Sequence, residues 1–356
     1  MFTTKFLTRT IAIVTVFVLA LSGVHPAYAA PLNDNFADAT PITTSLPFSV
    51  NADTTGATFE FDEPSPTCFG SGWDLKTAWF KYTPTTNTTL TARVNYNNFD
   101  TMLGVYTGNS VDGLTQIGCS LYYYNTTFQA VANVTYYFQV SGYYDYEGII
   151  PFSLEVTPPP EVYINYGPSD PSIFDNVWFG ASTYDPGQIY GFTYAWTISD
   201  GTTSDQGSFY HQFAADGDYT VNLTATTSDG RSGSASQVVQ VRTKDVAITR
   251  FRIPQTARVN QTKTINVEVK NKRYSDYVQV ELYKGLPGGG EQLIGTLTIY
   301  VPARATRPTI FKFSYTFTSD DAAIGKVTFR AEATIINGRD ALPADNILIA
   351  TTSVSR

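Results

Sequence analysis

Residues 209–225 read FYHQFAADGDYTVNLTA, and the second half of this stretch decides the fold class. Apolar and polar residues alternate there, with the apolar positions at Tyr219, Val221, Leu223 and Ala225. Successive side chains of a β-strand point to opposite faces of the sheet, so a period of two predicts a half-buried strand.

The same alternation recurs along the chain, in TYYFQV, FSLEV, INVEVKN and FKFSYTFT. Clusters of Gly, Asn, Asp and Pro separate these stretches, and no amphipathic helix of useful length interrupts them. The pattern predicts an all-β fold of three β-sandwich domains in series, immunoglobulin-like or jelly-roll-like. The alternating apolar sets are Tyr136/Phe138/Val140, Phe152/Leu154/Val156, Ile265/Val267/Val269 and Phe311/Phe313/Tyr315/Phe317.

The N-terminus has the layout of a secretory signal peptide. Lys5 and Arg9 precede an apolar run from Ile11 to Leu21, and Ala27-Tyr28-Ala29 follows as a cleavage site. The apolar run is too short to span a bilayer. We therefore expect residues 1–29 to be removed and the mature protein to be secreted, extracellular or at the cell surface, without membrane insertion.

Two boundaries divide the mature chain. Three prolines at 158–160 follow a strand in EVTPPPEV and form a stiff linker. The second boundary lies in VVQVRTKDVAI, where the charge changes sign. The predicted domains are residues 31–157, 161–243 and 244–356, and each is large enough for its own core.

The charge is acidic overall, with 23 Lys and Arg against 31 Asp and Glu, a formal net charge of −8. From Lys244 onward, however, 16 basic residues outnumber 10 acidic ones. A nucleic-acid binder would concentrate basic residues among aromatics on one surface, so that class is excluded. The basic end could face an anionic wall polymer, dock on its acidic neighbours, or simply be solvated.

Two cysteines remain after the leader, Cys68 and Cys119. An even pair in an exported protein usually forms a disulfide, the alternative being a free thiol.

Residues 31–157 resemble the bacterial pre-peptidase C-terminal (PPC-like) domain, a β-sandwich found beside secreted peptidases. The resemblance is carried by NDNFADATPI, EPSPTCFGSGWDLKTAWFKYTP, FDTMLGVYTG, QIGCS and TYYFQVSGY. It implies that Cys68 and Cys119 pair.

Residues 161–243 resemble a PKD domain, an immunoglobulin-like sandwich common in extracellular proteins. VWFGASTYDPGQIYGFTYAWTISDG and YHQFAADGDYTVNLTA carry the resemblance. It implies structural roles for Trp196, for His211 bonded to the backbone, and for Tyr219 as a tyrosine corner. His211 is the only histidine after the leader, and a general base with Asp216 and Asp218 nearby is the alternative. No Gly-x-Ser-x-Gly motif supplies a serine nucleophile.

Residues 244–356 are similar to a CARDB-type domain, an immunoglobulin-like sandwich associated with bacterial cell adhesion. The similarity rests on DVAITRFRIP, INVEVKN and RDALPADNILIATTSV.

Metal chemistry is confined to calcium, because one histidine and a cysteine pair cannot furnish a zinc site. The resemblance to PKD domains, some of which bind calcium through the Asp-Pro-Asp-Gly turn that DPGQ replaces in this chain, implies Asp185, Asp200 and Asp216 as candidate ligands. Turn aspartates that bond only their own backbone are the alternative. We expect no other cofactor.

Two tyrosine-rich turns point toward a ligand. CSLYYYNTT and SGYYDYEG could form a stacking platform for sugar rings or a protein surface, or could simply pack the ends of the sandwich. The residues are Tyr122, Tyr123, Tyr124, Tyr143, Tyr144 and Tyr146.

The function expected from these observations is that of a secreted, non-catalytic, multi-domain protein. It would bind an extracellular protein or polysaccharide surface, act in adhesion, and serve as a spacer. The alternative is an accessory binding protein of a secreted peptidase or glycoside hydrolase system. A hydrolase hidden in one sandwich is the third hypothesis.

Overall fold

The computed structural model describes residues 29–68, 75–95, 98–121 and 124–356. The predicted leader, apart from Ala29, and the candidate residues Tyr122 and Tyr123 lie outside these ranges. Nearly all regular structure in them is β-strand, arranged in six sheets, which confirms the all-β prediction. The described part of the chain contains no helix long and apolar enough to cross a membrane.

The described residues of the first module form nine strands in two sheets. One sheet has the order β1-β3-β8-β5-β6 and the other β2-β9-β4-β7, and all pairs except β1–β3 are antiparallel. Short 3-10 helices occupy Phe36–Asp38 and Val111–Gly113. The strands are Thr40–Pro41 (β1), Phe48–Asp53 (β2), Thr77–Tyr82 (β3), Thr88–Val94 (β4), Thr101–Thr107 (β5), Thr115–Leu121 (β6), Asn125–Ala130 (β7), Tyr136–Gly142 (β8) and Ile149–Val156 (β9).

The apolar residues predicted from the alternation form the core of this module. Tyr136, Phe138 and Val140 on β8 are buried, and so are Phe152 and Leu154 on β9. Val156 has the same phase but is exposed, because it is the last residue of its strand.

The second module contains seven strands, in sheets of order β10-β11-β14 and β13-β12-β15-β16. The opening stretch contributes β15, whose Val221, Leu223 and Ala225 are fully buried between the sheets while Tyr219 is half-buried. The strands are Glu161–Gly167 (β10), Val177–Tyr184 (β11), Phe192–Ile198 (β12), Thr203–Ser204 (β13), Ser208–His211 (β14), Gly217–Thr227 (β15) and Ser232–Val241 (β16).

The third module contains eight strands, in sheets of order β17-β19-β22 and β18-β24-β23-β20-β21. One α-helix, Ser319–Ile324 (α1), follows β22, and a 3-10 helix occupies Pro343–Asp345. The strands are Val246–Arg252 (β17), Thr256–Arg258 (β18), Thr262–Asn271 (β19), Asp276–Gly285 (β20), Glu291–Val301 (β21), Thr309–Thr316 (β22), Lys326–Ile335 (β23) and Ile347–Ser355 (β24).

The three largest apolar cores are separate, one for each module. By the contacts between its residues, the chain divides into two compact units. The first consists of residues through Pro160 together with the loops Asp185–Gly191 and Thr227–Arg231. The second consists of Glu161–Tyr184, Phe192–Thr226 and Ser232–Arg356, and so contains two sandwiches.

Candidate functional site

His211 is held by a carboxylate rather than by the backbone as the resemblance implied. Its Nε2 lies 2.7 Å from Asp200 Oδ2, and its ring packs edge-on against Phe213 with centroids 4.7 Å apart. Asp200 lies in the turn after β12, and β14 carries His211 beside it. Burial raises the pKa of Asp200, but hydrogen bonds from Thr202 and His211 outweigh it and lower that pKa below 3.8. The contact between His211 and Asp200 connects β14 to the turn after β12.

The other two predicted structural residues of the second module make hydrogen bonds to the backbone. The Tyr219 hydroxyl donates to the Ala215 carbonyl at 2.8 Å, a bond four residues upstream as in a tyrosine corner. Trp196 is buried in the core, and its indole N–H donates to the Gln206 carbonyl at 2.8 Å. Each large ring therefore fills the sandwich while its polar atom is satisfied.

The three aspartates proposed as calcium ligands have separate partners. Asp185 accepts two hydrogen bonds from Arg231 at 2.7 and 2.9 Å, and Asp216 accepts from Thr243 and from Tyr274 Oη. Asp200 faces His211, as described above. Among the described residues, no group of three or more His, Cys, Asp or Glu is placed to hold a metal ion. The structure does not bring these carboxylates together as one calcium site.

Arg231 is the centre of a network that sequence reasoning missed. Besides Asp185, its Nε donates to Asp229 Oδ2 at 2.6 Å, and its Nη1 donates to the Pro158 carbonyl at 2.6 Å. Thr89 Oγ1 also donates to Asp229 Oδ2, at 2.8 Å. Both carboxylates are almost fully buried, so the guanidinium compensates two desolvated charges. Asp185 therefore has a structural partner 46 residues away.

Cys68 and Cys119 form a disulfide, with Cα atoms 6.1 Å apart. It joins the segment before β3 to β6, which lies at the edge of the five-stranded sheet. No cysteine in the described residues is free. The bond agrees with an oxidising, extracellular environment.

Two described parts of the tyrosine-rich segments lie at the same end of the five-stranded sheet: Tyr124, next to the end of β6, and the turn after β8. Strand register places Leu121 opposite Met102, and Met102 opposite Ser141, so the end of β6 and the turn after β8 flank the start of β5. Tyr146 stacks on Phe99 with centroids 6.0 Å apart. Of the described candidates, Tyr124, Tyr144 and Tyr146 are exposed and Tyr143 is half-buried. Their juxtaposition is compatible with either a platform or a packed end.

A second group of exposed aromatic residues lies on the three-stranded sheet of the second module. Alternate residues of β10, β11 and β14 face inward, where Tyr166, Phe179 and Phe209 pack with centroids 5.4–6.1 Å apart. The residues between these inward positions face outward, and four of them are aromatic. These four residues, named here the aromatic face, are Tyr163, Trp178, Tyr184 and Tyr210, exposed by 55, 38, 60 and 65% respectively.

Strand register sets the spacing of the aromatic face. Trp178 lies directly opposite Tyr210, and Tyr163 lies opposite Ser182, two residues from Tyr184. Trp178 and Tyr184 are six positions apart on β11, about 20 Å along an extended strand. The rings thus form two groups along the sheet, with the small residues Gly180 and Ser182 between them.

The polar groups around the aromatic face are mostly uncharged. Asn165, Ser182 and Ser208 share the outward phase with the rings, and Glu161 is the one charged residue at these outward positions. The Glu161 carboxylate accepts a hydrogen bond from Tyr163 Oη at 2.9 Å, which raises the pKa of Tyr163. Exposed aromatic rings with neutral hydrogen-bonding groups beside them suit a ligand that is itself uncharged.

Sequence reasoning missed the aromatic face because aromatic residues occupy both phases of these strands. EVYINYG and SFYH place one ring inward and another outward within a few residues. The available signal was an aromatic residue at positions where a half-buried strand ordinarily carries polar ones.

A model of the PKD domain family matches residues 159–243, so a PKD domain occupies the second module as predicted. No curated protein matches the chain.

Three similar solved structures share little sequence with this chain. Dimeric latent PorU from Porphyromonas gingivalis is 13% identical over 78% of this chain and 31% of its own, with a TM-score of 0.20. A tetra-tandem repeat in the extending region of a large adhesion protein is 15% identical over 76% and 70%, with a TM-score of 0.24. Salmonella alpha-2-macroglobulin reacted with methylamine is 11% identical over 84% and 24%, with a TM-score of 0.20. This chain spans less than a third of PorU, and superpositions at these TM-scores carry no functional argument.

Proposed function

We propose that this chain is an exported, non-catalytic, multi-domain protein that binds a neutral polysaccharide outside the cell. The aromatic face of the second module carries this proposal. Exposed aromatic rings gathered on one face of a sheet are typical of a binding surface. Aromatic rings offer apolar area at small entropic cost, and tyrosine adds a hydroxyl that can hydrogen-bond the ligand.

A polysaccharide fits this surface better than a charged polymer does. The outward positions of β10, β11 and β14 carry no Lys or Arg, so nothing there would neutralise an anionic chain. A sugar ring has apolar C–H faces and hydroxyl edges. The aromatic rings would stack on the apolar C–H faces of the sugar. The side chains of Asn165, Ser182 and Ser208 would form hydrogen bonds with its hydroxyl groups.

The other modules have supporting roles in this proposal. The PPC-like first module, the CARDB-like third module and the signal peptide are carried over from sequence resemblance and layout, and they support export and display at a cell surface. The first module would add a second contact at its tyrosine turns and would otherwise act as a spacer. The basic third module is suited to an acidic neighbour.

Retention on insoluble polysaccharides tests the proposal. The mature protein would be mixed with cellulose, chitin and purified cell-wall glycan, each with and without calcium, and the bound fraction measured. We expect retention on at least one neutral polymer and a large loss of it in the double variant Trp178→Ala/Tyr210→Ala. Tyr190→Ala is the matched control, because Tyr190 is 89% exposed but lies outside the aromatic face.

Two results would contradict the proposal. One is equal retention of the double variant and the wild type. The other is turnover of casein or of a polysaccharide that a single carboxylate substitution abolishes, since this would indicate an enzyme. The double variant Tyr123→Ala/Tyr144→Ala tests the tyrosine turns of the first module separately. If only this variant lost retention on the polysaccharide, the binding site would be assigned to those turns and not to the aromatic face.

A further inference from the structure

Three side chains in the third module form a closed hydrogen-bonded triangle. Lys284 Nζ donates to Asp321 Oδ1 at 2.7 Å and to Tyr315 Oη at 2.9 Å. The Tyr315 hydroxyl donates in turn to Asp321 Oδ2 at 2.8 Å. An amine, a carboxyl group and a bridging hydroxyl are therefore held in contact.

The triangle is shielded from water. The Asp321 side chain is fully buried and that of Lys284 is 10% exposed. Fully buried Phe317 and Phe329 pack on the Tyr315 ring, with centroids 5.1 and 5.3 Å away. Burial of this kind disfavours the charged forms of the amine and the carboxyl group, and the hydrogen bonds within the triangle oppose that effect.

Distant parts of the sandwich supply these residues. Lys284 is on β20 in phase with the buried Val278, Val280 and Leu282, where an apolar residue would ordinarily stand. Tyr315 belongs to β22 of the other sheet. Asp321 is held in the first turn of α1 by a reciprocal capping box with Thr318. The contact therefore links one sheet to the helix that follows the other.

We propose that Lys284 and Asp321 become joined by an intramolecular amide bond between their side chains. The ammonium passes one proton to Oδ1 along the 2.7 Å hydrogen bond, and the Nζ lone pair attacks Cγ. The Nζ–Cγ bond forms, a second proton moves from Nζ to Oδ1, and the Cγ–Oδ1 bond breaks to release water. Oδ2 remains as the amide oxygen, so atoms and charges balance with no oxidant or co-substrate.

The surroundings of Oδ2 favour this attack. Oδ2 accepts hydrogen bonds from Tyr315 Oη and from the Thr318 backbone N–H, the latter at 2.9 Å. Two donors aimed at one oxygen stabilise the negative charge that develops there when the carboxyl carbon becomes tetrahedral. Holding the two groups in contact also replaces a bimolecular condensation with an intramolecular one.

The ion pair is the starting state, and it makes the reaction slow. Burial lowers the pKa of Lys284, but hydrogen bonds to Asp321 and Tyr315 outweigh it and raise that pKa above 10.5. Burial raises the pKa of Asp321, yet hydrogen bonds from Lys284 and Thr318 hold it below 3.8. The first proton transfer is therefore uphill, and the amide is expected to form slowly after folding.

Intact-mass spectrometry of the reduced, denatured mature protein tests the inference. We expect a mass lower by one water than the sequence mass, and a proteolytic peptide containing both Lys284 and Asp321. The full sequence mass after prolonged incubation of the folded protein at 37 °C would overturn it.

Variants show whether the missing water comes from this triangle. Lys284→Arg keeps the positive charge but has no amine to acylate, so it should show the full mass. Tyr315→Phe should accumulate the lighter form more slowly, because it lacks one donor to Oδ2. Lys244→Arg is the matched control, since Lys244 forms a comparable 2.7 Å pair with Asp276. If Lys244→Arg abolished the water loss, or Lys284→Arg retained it, the assignment to Lys284 and Asp321 would be refuted.

Discussion

The indole of Trp178 lies over Gly180, two residues along the same strand and on the same outward face. A Cβ atom on Gly180 would stand 2.4 Å from Trp178 Cζ2, closer than atoms can approach. The absence of a side chain at position 180 is therefore what allows the ring to lie against the sheet.

Gly180→Ala should displace the Trp178 ring and weaken retention on the bound polysaccharide. Losing one well-placed stacking contact corresponds to about a tenfold drop in affinity. Binding isotherms on the insoluble polymer would measure this, and tryptophan emission should shift because the ring environment changes. Gly167→Ala is the control on the neighbouring strand, because its Cβ would meet nothing within 4 Å. Equal affinity of Gly180→Ala and wild type would contradict a stacking role for Trp178.

Arg231→Ala should be strongly destabilising. It would leave the buried carboxylates of Asp185 and Asp229 without their common cation, and breaking such a buried pair costs about 3–5 kcal/mol. Urea denaturation of the mature protein would measure the loss. Arg339→Ala is the comparison, because that side chain is 44% exposed and its pair with Asp175 is worth about 1 kcal/mol or less. Similar losses in the two variants would show that Arg231 is not a compensating charge.

Asp229 should make the stability of the protein acid-sensitive. Burial raises the pKa of Asp229, but hydrogen bonds from Arg231, Thr227 and Thr89 outweigh this effect and lower the pKa from 3.8 to about 2. Because the folded-state pKa is depressed, the stabilisation is complete above about pH 4 and disappears as the pH falls through 2. Free energies of unfolding measured across this range should fall less steeply in Asp229→Asn than in wild type. Parallel curves would exclude this contribution.

His211→Ala should affect stability but not binding. It removes the bond to Asp200 and the edge contact with Phe213, at a cost of about 1–2 kcal/mol. His211→Gln, whose amide can donate to the same carboxylate, should recover part of that loss in urea denaturation. Polysaccharide retention should equal that of wild type in both variants, because His211 faces away from Tyr210. Loss of retention with unchanged stability would give His211 a role at the ligand.

Removal of the disulfide should destabilise the first module alone. The cysteines are 51 residues apart in sequence, and opening a loop of that size costs about 4 kcal/mol in the chain-entropy estimate. Differential scanning calorimetry of Cys68→Ser/Cys119→Ser should show one transition at lower temperature, while transitions of the other sandwiches stay unchanged. A uniform shift of every transition would instead mean that the modules unfold together.

The sequence predicted the fold class well because a period of two is a local property of an extended backbone. Val221, Leu223 and Ala225 are buried in β15, and Ile265, Val267 and Val269 are buried in β19, as the alternation required. Turn residues marked where strands end, and the PKD resemblance was confirmed over 159–243. Where a strand runs past its core, as at Val156, alternation alone overestimated burial.

The candidate sites were harder to predict, because their residues are distant in sequence. Asp185 was predicted as a calcium ligand from its turn, but in the structure its carboxylate pairs with Arg231, which lies on the loop before β16. Lys284 was not singled out from the sequence, because its partner Asp321 lies 37 residues further along the chain.

The alternation of residues between core and solvent, and the positions of the turns, could be predicted from the sequence alone. The shared outward face of Trp178, Tyr210, Tyr163 and Tyr184 could not, because strand pairing sets which rings become neighbours. Alternation depends on the geometry of one strand, whereas an aromatic face or a buried pair depends on the register between strands far apart in the chain.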